Sequence, residues 1–175
     1  SDVAAREALL DCGFGDNRQL RTCQRLREGG APAEGLALSA VRHAGLVGTL
    51  RLWHVSAGGV PVLLLGPLAV DPACRGFGIG AVLTHQALAL ASARGHGAVI
   101  LLGDASYYGR FGFSASKTAE LSLPGPFERE RLLGLELRQG ALDGAWGMIV
   151  PTGRIAPQTK PRAGARTHKL AAQRA

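Results

Sequence analysis

Apolar positions recur at helical spacing in the N-terminal part of the chain. Leu9 and Leu10, then Leu20, Cys23 and Leu26, predict two helices, at 4–11 and 17–28. Gly13, Gly15 and Asp16 punctuate the interval, Asp16 or Asn17 can cap the second helix, and Gly29-Gly30 ends it. The period then changes from helical to alternating. Residues 36–43 and 47–55 read as strands around a turn at Ala44-Gly45, with Leu50 and Leu52 alternating against Arg51 and Trp53. After a turn at Ala57-Gly58-Gly59, Pro61–Val70 is almost continuously apolar, which predicts a strand covered on both faces. Gly66-Pro67 interrupts that run, and a proline that cannot donate to a ladder predicts a bulge there. Residues 79–94 predict a helix ended by Gly95, and 98–103 a short buried strand. Strand, helix, strand in that order predicts a parallel pair with a right-handed crossover. A short helix is expected near 106–110. Residues 133–138 and 146–151 predict a closing antiparallel pair, with Ala141–Ala145 between them. The order gives a mixed α/β (α+β) domain with one central, largely antiparallel sheet flanked by helices.

Length and charge refine this picture. The 175 residues fit one domain able to bury a sizeable core. No apolar run reaches the roughly 20 residues that span a bilayer, and Ser1-Asp2-Val3 does not open a signal peptide, so no membrane partner is expected. Cys12, Cys23 and Cys74 are an odd set without a C-x-x-C pair, which argues against a disulfide framework or a zinc site. No metal is expected, and the expected compartment is a reducing cytoplasm. The net charge of +7 is concentrated at one end. Residues 154–175 hold six basic residues and no acid, and the rest carries fourteen basic against thirteen acidic. We therefore expect a domain over 1–153 and a basic C-terminal extension over 154–175. A solvated tail, or an arm packed on a second copy in a homodimer, is expected there ahead of nucleic-acid binding.

The loop after the long apolar strand carries the chemistry. Leu68-Ala69-Val70-Asp71-Pro72 ends the strand, Ala73-Cys74-Arg75 follows, and Gly76, Gly78 and Gly80 alternate into the helix. Helix N-termini have unpaired N–H donors and a partial positive charge, so this loop predicts a phosphate site. Two common phosphate loops do not fit. G-x-x-x-x-G-K-[ST] needs a lysine, and Ala81 and Val82 follow Gly80 instead. Gly76-Phe77-Gly78-Ile79-Gly80-Ala81 does match G-x-G-x-x-A, but a dinucleotide fingerprint follows its strand directly, whereas Asp71 to Arg75 intervene here.

Arg75-Gly76-Phe77-Gly78-Ile79-Gly80 resembles the [RQ]-x-x-G-x-[GA] motif of the GNAT superfamily of N-acetyltransferases, which binds the pyrophosphate of acetyl-coenzyme A. Leu68-Ala69-Val70-Asp71-Pro72 resembles the family's fourth strand, whose backbone holds the pantetheine arm and which a bulge splays from the fifth strand. Downstream, Gly103-Asp104-Ala105-Ser106-Tyr107-Tyr108-Gly109-Arg110-Phe111-Gly112-Phe113 is similar to the segment after the family's fifth strand. There a tyrosine stands four residues before a Gly-Phe pair, and Tyr108 holds that position. The doubled tyrosine and the Gly-Asp opening resemble a bacterial branch of the superfamily. The resemblance covers about residues 4–153. It departs at the start, where the family's usual first strand would precede the first helix and almost no chain does. It implies a GNAT-like sheet splayed between its fourth and fifth strands, with acetyl-CoA as co-substrate. It also implies cofactor contacts from Leu68, Ala69, Val70, Arg75, Gly76, Phe77, Gly78, Ile79, Gly80 and Tyr108.

The implied reaction moves an acetyl group from coenzyme A to an amine acceptor. The resemblance places Tyr108 as the acid that meets the leaving thiolate, a task a phenol of pKa about 10 can perform. A base is harder to assign. Many family members use a glutamate on the fourth strand, and Pro61–Val70 has no titratable side chain. Asp104 is the nearest carboxylate placed by a motif; it acts through water or caps the short helix. His54, Tyr107 and Cys74 are further candidates for which packing is the simpler role, and Phe127-Glu128-Arg129-Glu130-Arg131 reads as a cleft rim or a solvated face. The rival function is a non-catalytic acyl-CoA-binding regulatory module acting through its basic tail.

Overall fold

The computed structural model describes residues 2–15, 22–43 and 45–155. Helix α1 runs over Asp2–Phe14, and α2 over Thr22–Arg25, so the second predicted helix gives way to turns at Leu26, before its predicted end at 28; residues 16–21 lie outside the described set. Strands β1 (Ala37–Arg42) and β2 (Gly45–Ala57) pair antiparallel, and β3 (Val60–Val70) returns antiparallel along β2. Helix α3 (Ile79–Ala93) crosses over to β4 (Ala98–Leu102), which lies parallel to β3. Helix α4 (Ala105–Tyr108) follows, then β5 (Leu121–Ser122), β6 (Leu132–Glu136) and β7 (Gly147–Pro151). The described strands form one curled mixed sheet of order β5-β7-β2-β3-β4-β6, with β1 also on β2.

One expectation fails. The segments at 133–138 and 146–151 are strands, but they do not pair with each other. β6 lies antiparallel on the outer edge of β4, and β7 on the end of β2, at opposite sides of the sheet. Both β4 and β2 had an edge to fill. The turn between them is anchored away from a hairpin, because the Leu137 and Arg138 N–H groups both donate to the Gly97 carbonyl.

The apolar run in β3 is buried on both faces, as its composition requires. Leu63 and Leu65 pack with Leu50, Leu52 and the α3 residues Leu83, Ala87, Leu88 and Ala91. Val62 and Leu64 pack on the other face with Leu26, Ile100 and Leu132. Truncating Leu63, which is fully buried, should cost about 2–5 kcal/mol. Gly48 lets α3 approach β2 closely: a Cβ there would lie 2.9 Å from Ile79 Cγ2 and 3.0 Å from Leu83 Cδ1. That contact fixes where the α3 N-terminus sits relative to the end of β3.

The predicted bulge lies at Gly66-Pro67. Leu50 pairs with Leu68 and Leu52 with Leu65, so two β3 residues stand opposite Arg51 alone. The Trp53 indole N–H donates across the bulge to the Gly66 carbonyl and holds it. On the other side, the ladder between β3 and β4 contains only Leu63–Val99 and Leu64–Ile100. Beyond Leu64 the two strands part, and β3 runs on to Val70 beside a cleft.

Candidate active site

Three elements meet at this cleft: the glycine loop, the free edge of β3 and the segment after β4. The loop begins with Asp71, whose carboxylate accepts from the Ala73 N–H at 2.9 Å and starts a short 3-10 turn over Pro72–Cys74. Asp71 therefore shapes the loop. Cys74 is buried beneath it. Gly76 and Gly78 have φ of 85° and 75°, a region open to glycine, and a Cβ at either would meet no atom within 4 Å. Gly78 stands at the N-cap of α3 without a side-chain cap, and the first turn of the helix has no acidic residue. The leading N–H groups of a fifteen-residue helix thus receive no side-chain cap from Gly78. Such an end has the donors and the partial charge to hold a diphosphate. Phe77 projects from the loop, 68% exposed, with the Arg42 guanidinium 5.4 Å above its ring.

The three β3 positions of the sequence reading differ in what their side chains do. Leu68 lines the cleft. Ala69 packs against Leu9 and Leu10 of α1, so only its backbone can meet a ligand. Val70 and Leu68 border Gly80, as does the Tyr107 hydroxyl, which lies 3.1 Å from the place a Cβ on Gly80 would take. Tyr107 is directed at the start of α3 and does not line the cavity.

Tyr108 does line it. The cavity has a volume of about 860 Å3, with Leu65–Leu68 on one wall and Leu101–Asp104 on another. The Tyr108 ring packs against Gly103, where a Cβ would fall 2.5 Å from Cε2, and it packs edge to face with Tyr107 at 4.9 Å and with Phe113 at 5.9 Å. Its phenol is pushed up to about 12, first by burial and then by the neighbouring Tyr107. The hydroxyl therefore keeps its proton across the physiological range and remains a donor.

Asp104 caps α4. Its Oδ1 accepts from the Ser106 N–H and from the Ser106 hydroxyl, each at 2.8 Å. Those bonds, the hydroxyl's first, hold its carboxyl below the usual carboxylate range. Asp104 also stands on the cavity wall, as a charged and weakly basic group. His54 is elsewhere. It pairs with Leu63, at the closed end of the splay, and its ring stands 5.4 Å from His96 beyond the end of α3. The rim segment divides by residue. Phe127, Glu128 and Arg131 line the cavity, while the Arg129 guanidinium turns back to the carbonyls of Thr118, Ala119 and Leu121.

The fourth wall was not legible from motifs. Leu10 and Phe14 of α1 and Thr22, Cys23, Gln24 and Arg27 on and after α2 close the cavity opposite the splay. Thr22 is held by its hydroxyl, which donates to the Pro126 carbonyl, and Arg25 by a bond to the Pro124 carbonyl. These contacts tie α2 to the loop before Phe127 across sequence separations of 104 and 99 residues. Among the described residues no group of three or more His, Cys, Asp or Glu could hold a metal ion, and no helix is long and apolar enough to cross a membrane.

Comparison with known proteins agrees with this geometry. Residues 34–115 match the family of the acetyltransferase (GNAT) domain. The uncharacterized N-acetyltransferase YhbS of Escherichia coli strain K12 is 29% identical over 150 residues, covering 85% of this chain and 89% of the relative. The crystal structure of YhbS from Escherichia coli in complex with CoA superposes with a TM-score of 0.73 at 28% identity, over 86% of this chain and 84% of that one. A GNAT family acetyltransferase from Brucella melitensis in complex with acetyl-CoA gives a TM-score of 0.53 at 27% identity, over 89% and 86%.

Proposed function

The chain carries a GNAT acetyltransferase domain, and from that premise we propose that it transfers an acetyl group from acetyl-CoA to an amine by direct attack in a ternary complex. The observation that carries this reading is the splay: the β3–β4 ladder ends at Leu64–Ile100, β3 runs on past it toward the uncapped start of α3, and the Tyr108 cavity is lined by both parted strands. The related structures that contain CoA and acetyl-CoA support the choice of co-substrate. In the proposed complex the backbone N–H groups of residues 75–80 hold the diphosphate. The parted edge of Leu68–Val70 offers N–H and C=O groups to the amide arm.

The acceptor nitrogen bonds to the acetyl carbon, the carbon–sulfur bond breaks, and the sulfur leaves with the electron pair. Tyr108 faces that sulfur. Its phenol, near 12, lies about 3.5 units above an ordinary thiol, so full proton transfer to a solvated thiolate would be uphill. Donation of a hydrogen bond is favourable at once, and transfer follows where the same dry cavity raises the sulfur's affinity for a proton. The proton lost by the amine goes to solvent or to the thiolate.

No carboxylate on β3 accepts it. Asp104 is depressed by Ser106, which fits it as a helix cap and a negative charge at the rim better than as a proton acceptor. A lysine-like amine then costs about 4.6 kcal/mol to deprotonate at pH 7. Without a protein base, the rate should rise about tenfold per pH unit below the acceptor's pKa. Amine-dependent thiol release from acetyl-CoA across an acceptor panel tests the reading. Binding of acetyl-CoA with no turnover on any amine would favour the regulatory module instead.

A further inference from the structure

The doubled tyrosine sends its two rings to different places. Tyr108 lines the cavity, whereas Tyr107 carries its hydroxyl to the first turn of α3. The Tyr107 Oη lies 3.1 Å from the place a Cβ on Gly80 would take, and Val70 Cγ2 and Leu68 Cδ2 lie 3.6 Å and 3.7 Å from the same point. The hydroxyl therefore stands where the parted end of β3 meets the start of the helix. Gly80 has no positive φ, so its missing Cβ serves this close approach and not the backbone. The helix start offers further donors. The Val82 N–H bonds to the Gly78 carbonyl at 3.0 Å, and the N–H groups of Ile79, Gly80 and Ala81 precede that bond.

The Tyr107 ring is held on several sides. The Arg110 guanidinium lies 4.4 Å over it, and the Arg110 Nε–H donates to the Tyr107 carbonyl at 3.0 Å. Tyr108 and Phe111 meet the ring edge to face at 4.9 Å and 5.6 Å. These contacts fix where the hydroxyl points, yet the hydroxyl itself makes no hydrogen bond among the described residues. A half-buried phenol ordinarily finds a partner. No acidic side chain in the first turn of α3 supplies one, and the Asp71 carboxylate is turned to the Ala73 N–H. We propose that the Tyr107 hydroxyl donates to the diphosphate of acetyl-CoA, at the end where the diphosphate joins the amide arm. The inference rests on the acetyl-transfer reading above, and it makes Tyr107 a residue of co-substrate binding while Tyr108 serves the sulfur.

Tyr107→Phe removes the donor and keeps the ring contacts. A hydrogen bond to a charged group is worth roughly 10–100-fold in binding, so calorimetry should show acetyl-CoA affinity falling by about that factor in a protein that melts like the wild type. At saturating acetyl-CoA kcat should hold, because the bond is made equally before and during the chemical step. Tyr108→Phe should show the opposite split. Phosphorus NMR with saturating CoA reads the contact directly: the diphosphate resonances should differ between wild type and Tyr107→Phe, and the ribose phosphate resonance should not. Unchanged affinity in folded Tyr107→Phe overturns the inference, as does a loss confined to kcat or a pair of diphosphate resonances that stays fixed. Failure of acetyl-CoA to bind the wild type overturns the acetyl-transfer reading and this inference together.

Discussion

Replacing Gly103 by alanine should disable Tyr108 without touching it. The Gly103 backbone is in an ordinary conformation, so alanine is allowed there and the effect is purely steric. The new Cβ would lie 2.5 Å from Tyr108 Cε2, 2.9 Å from Cδ2 and 3.0 Å from Leu101 Cδ1. Non-bonded carbons settle at about 3.5–4.0 Å, so the ring must retreat by about 1 Å. Overpacking of this kind costs about 1–3 kcal/mol, and each kcal/mol lowers Tm by about 2–4 °C in a chain of this size. A 1 Å misplacement of a positioned group costs on the order of 10²-fold in rate. Steady-state kinetics with saturating acetyl-CoA should show that loss in kcat, in protein that a thermal melt shows to be folded. The double variant Gly103→Ala, Tyr108→Phe should then turn over no more slowly than Tyr108→Phe alone, because the hydroxyl that was displaced is already gone. Wild-type turnover in Gly103→Ala would refute the reasoning, as would losses that multiply in the double variant.

Tyr108→Phe removes the donor and keeps the ring stack; kcat should fall about 10²–10³-fold while acetyl-CoA affinity, measured by calorimetry, changes less than about tenfold. Asp104→Asn keeps an N-cap and removes the charge, so kcat/KM should change less than about tenfold; a loss beyond about 10² would make Asp104 the base. Because its folded pKa is depressed, the stabilisation Asp104 provides is present above the pKa of an unfolded aspartate and is lost as pH falls through the lower folded value; denaturant midpoints of wild type and Asp104→Asn should converge in acid. Gly78→Val places a branched residue at φ 75° in the loop, and acetyl-CoA binding should be lost in a protein that still melts cooperatively. Truncation after Ile155 should leave acetyl-CoA affinity intact. That cut is preferred to one after Gly153, because Ile155 bridges Gly30 and the Arg154 carbonyl accepts from the Ala31 N–H.

Much of the site was legible because its physics is local. The apolar run over β3, the proline that must bulge and the glycines that leave α3 uncapped each constrain a few neighbouring residues. Tyr108 was singled out by the resemblance of residues 103–113 to the family's segment, and the structure places it on the cavity wall. Long-range pairing was less visible. β6 and β7 each read correctly as strands, but alternation does not say which edge a strand joins. His54 alternates like its neighbours, and only the register opposite Leu63 places it at the closed end. The wall formed by α1 and α2 was hidden for the same reason. Arg27 follows a short helix with no motif around it, and it reaches the bulge because Thr22 and Arg25 bond to a loop a hundred residues away. The run from Phe127 to Arg131 shows alternating charge and nothing of the division that sends Arg129 to structural carbonyls and Arg131 to the cavity.

A crystal structure with acetyl-CoA bound tests the central claim most directly. The account predicts the diphosphate on the N–H groups of residues 75–80, the amide arm along the parted edge of Leu68–Val70, and the thioester sulfur within hydrogen-bond reach of the Tyr108 hydroxyl. Acetyl-CoA held elsewhere on the molecule, or a sulfur out of reach of Tyr108 with the loop engaged, would contradict it.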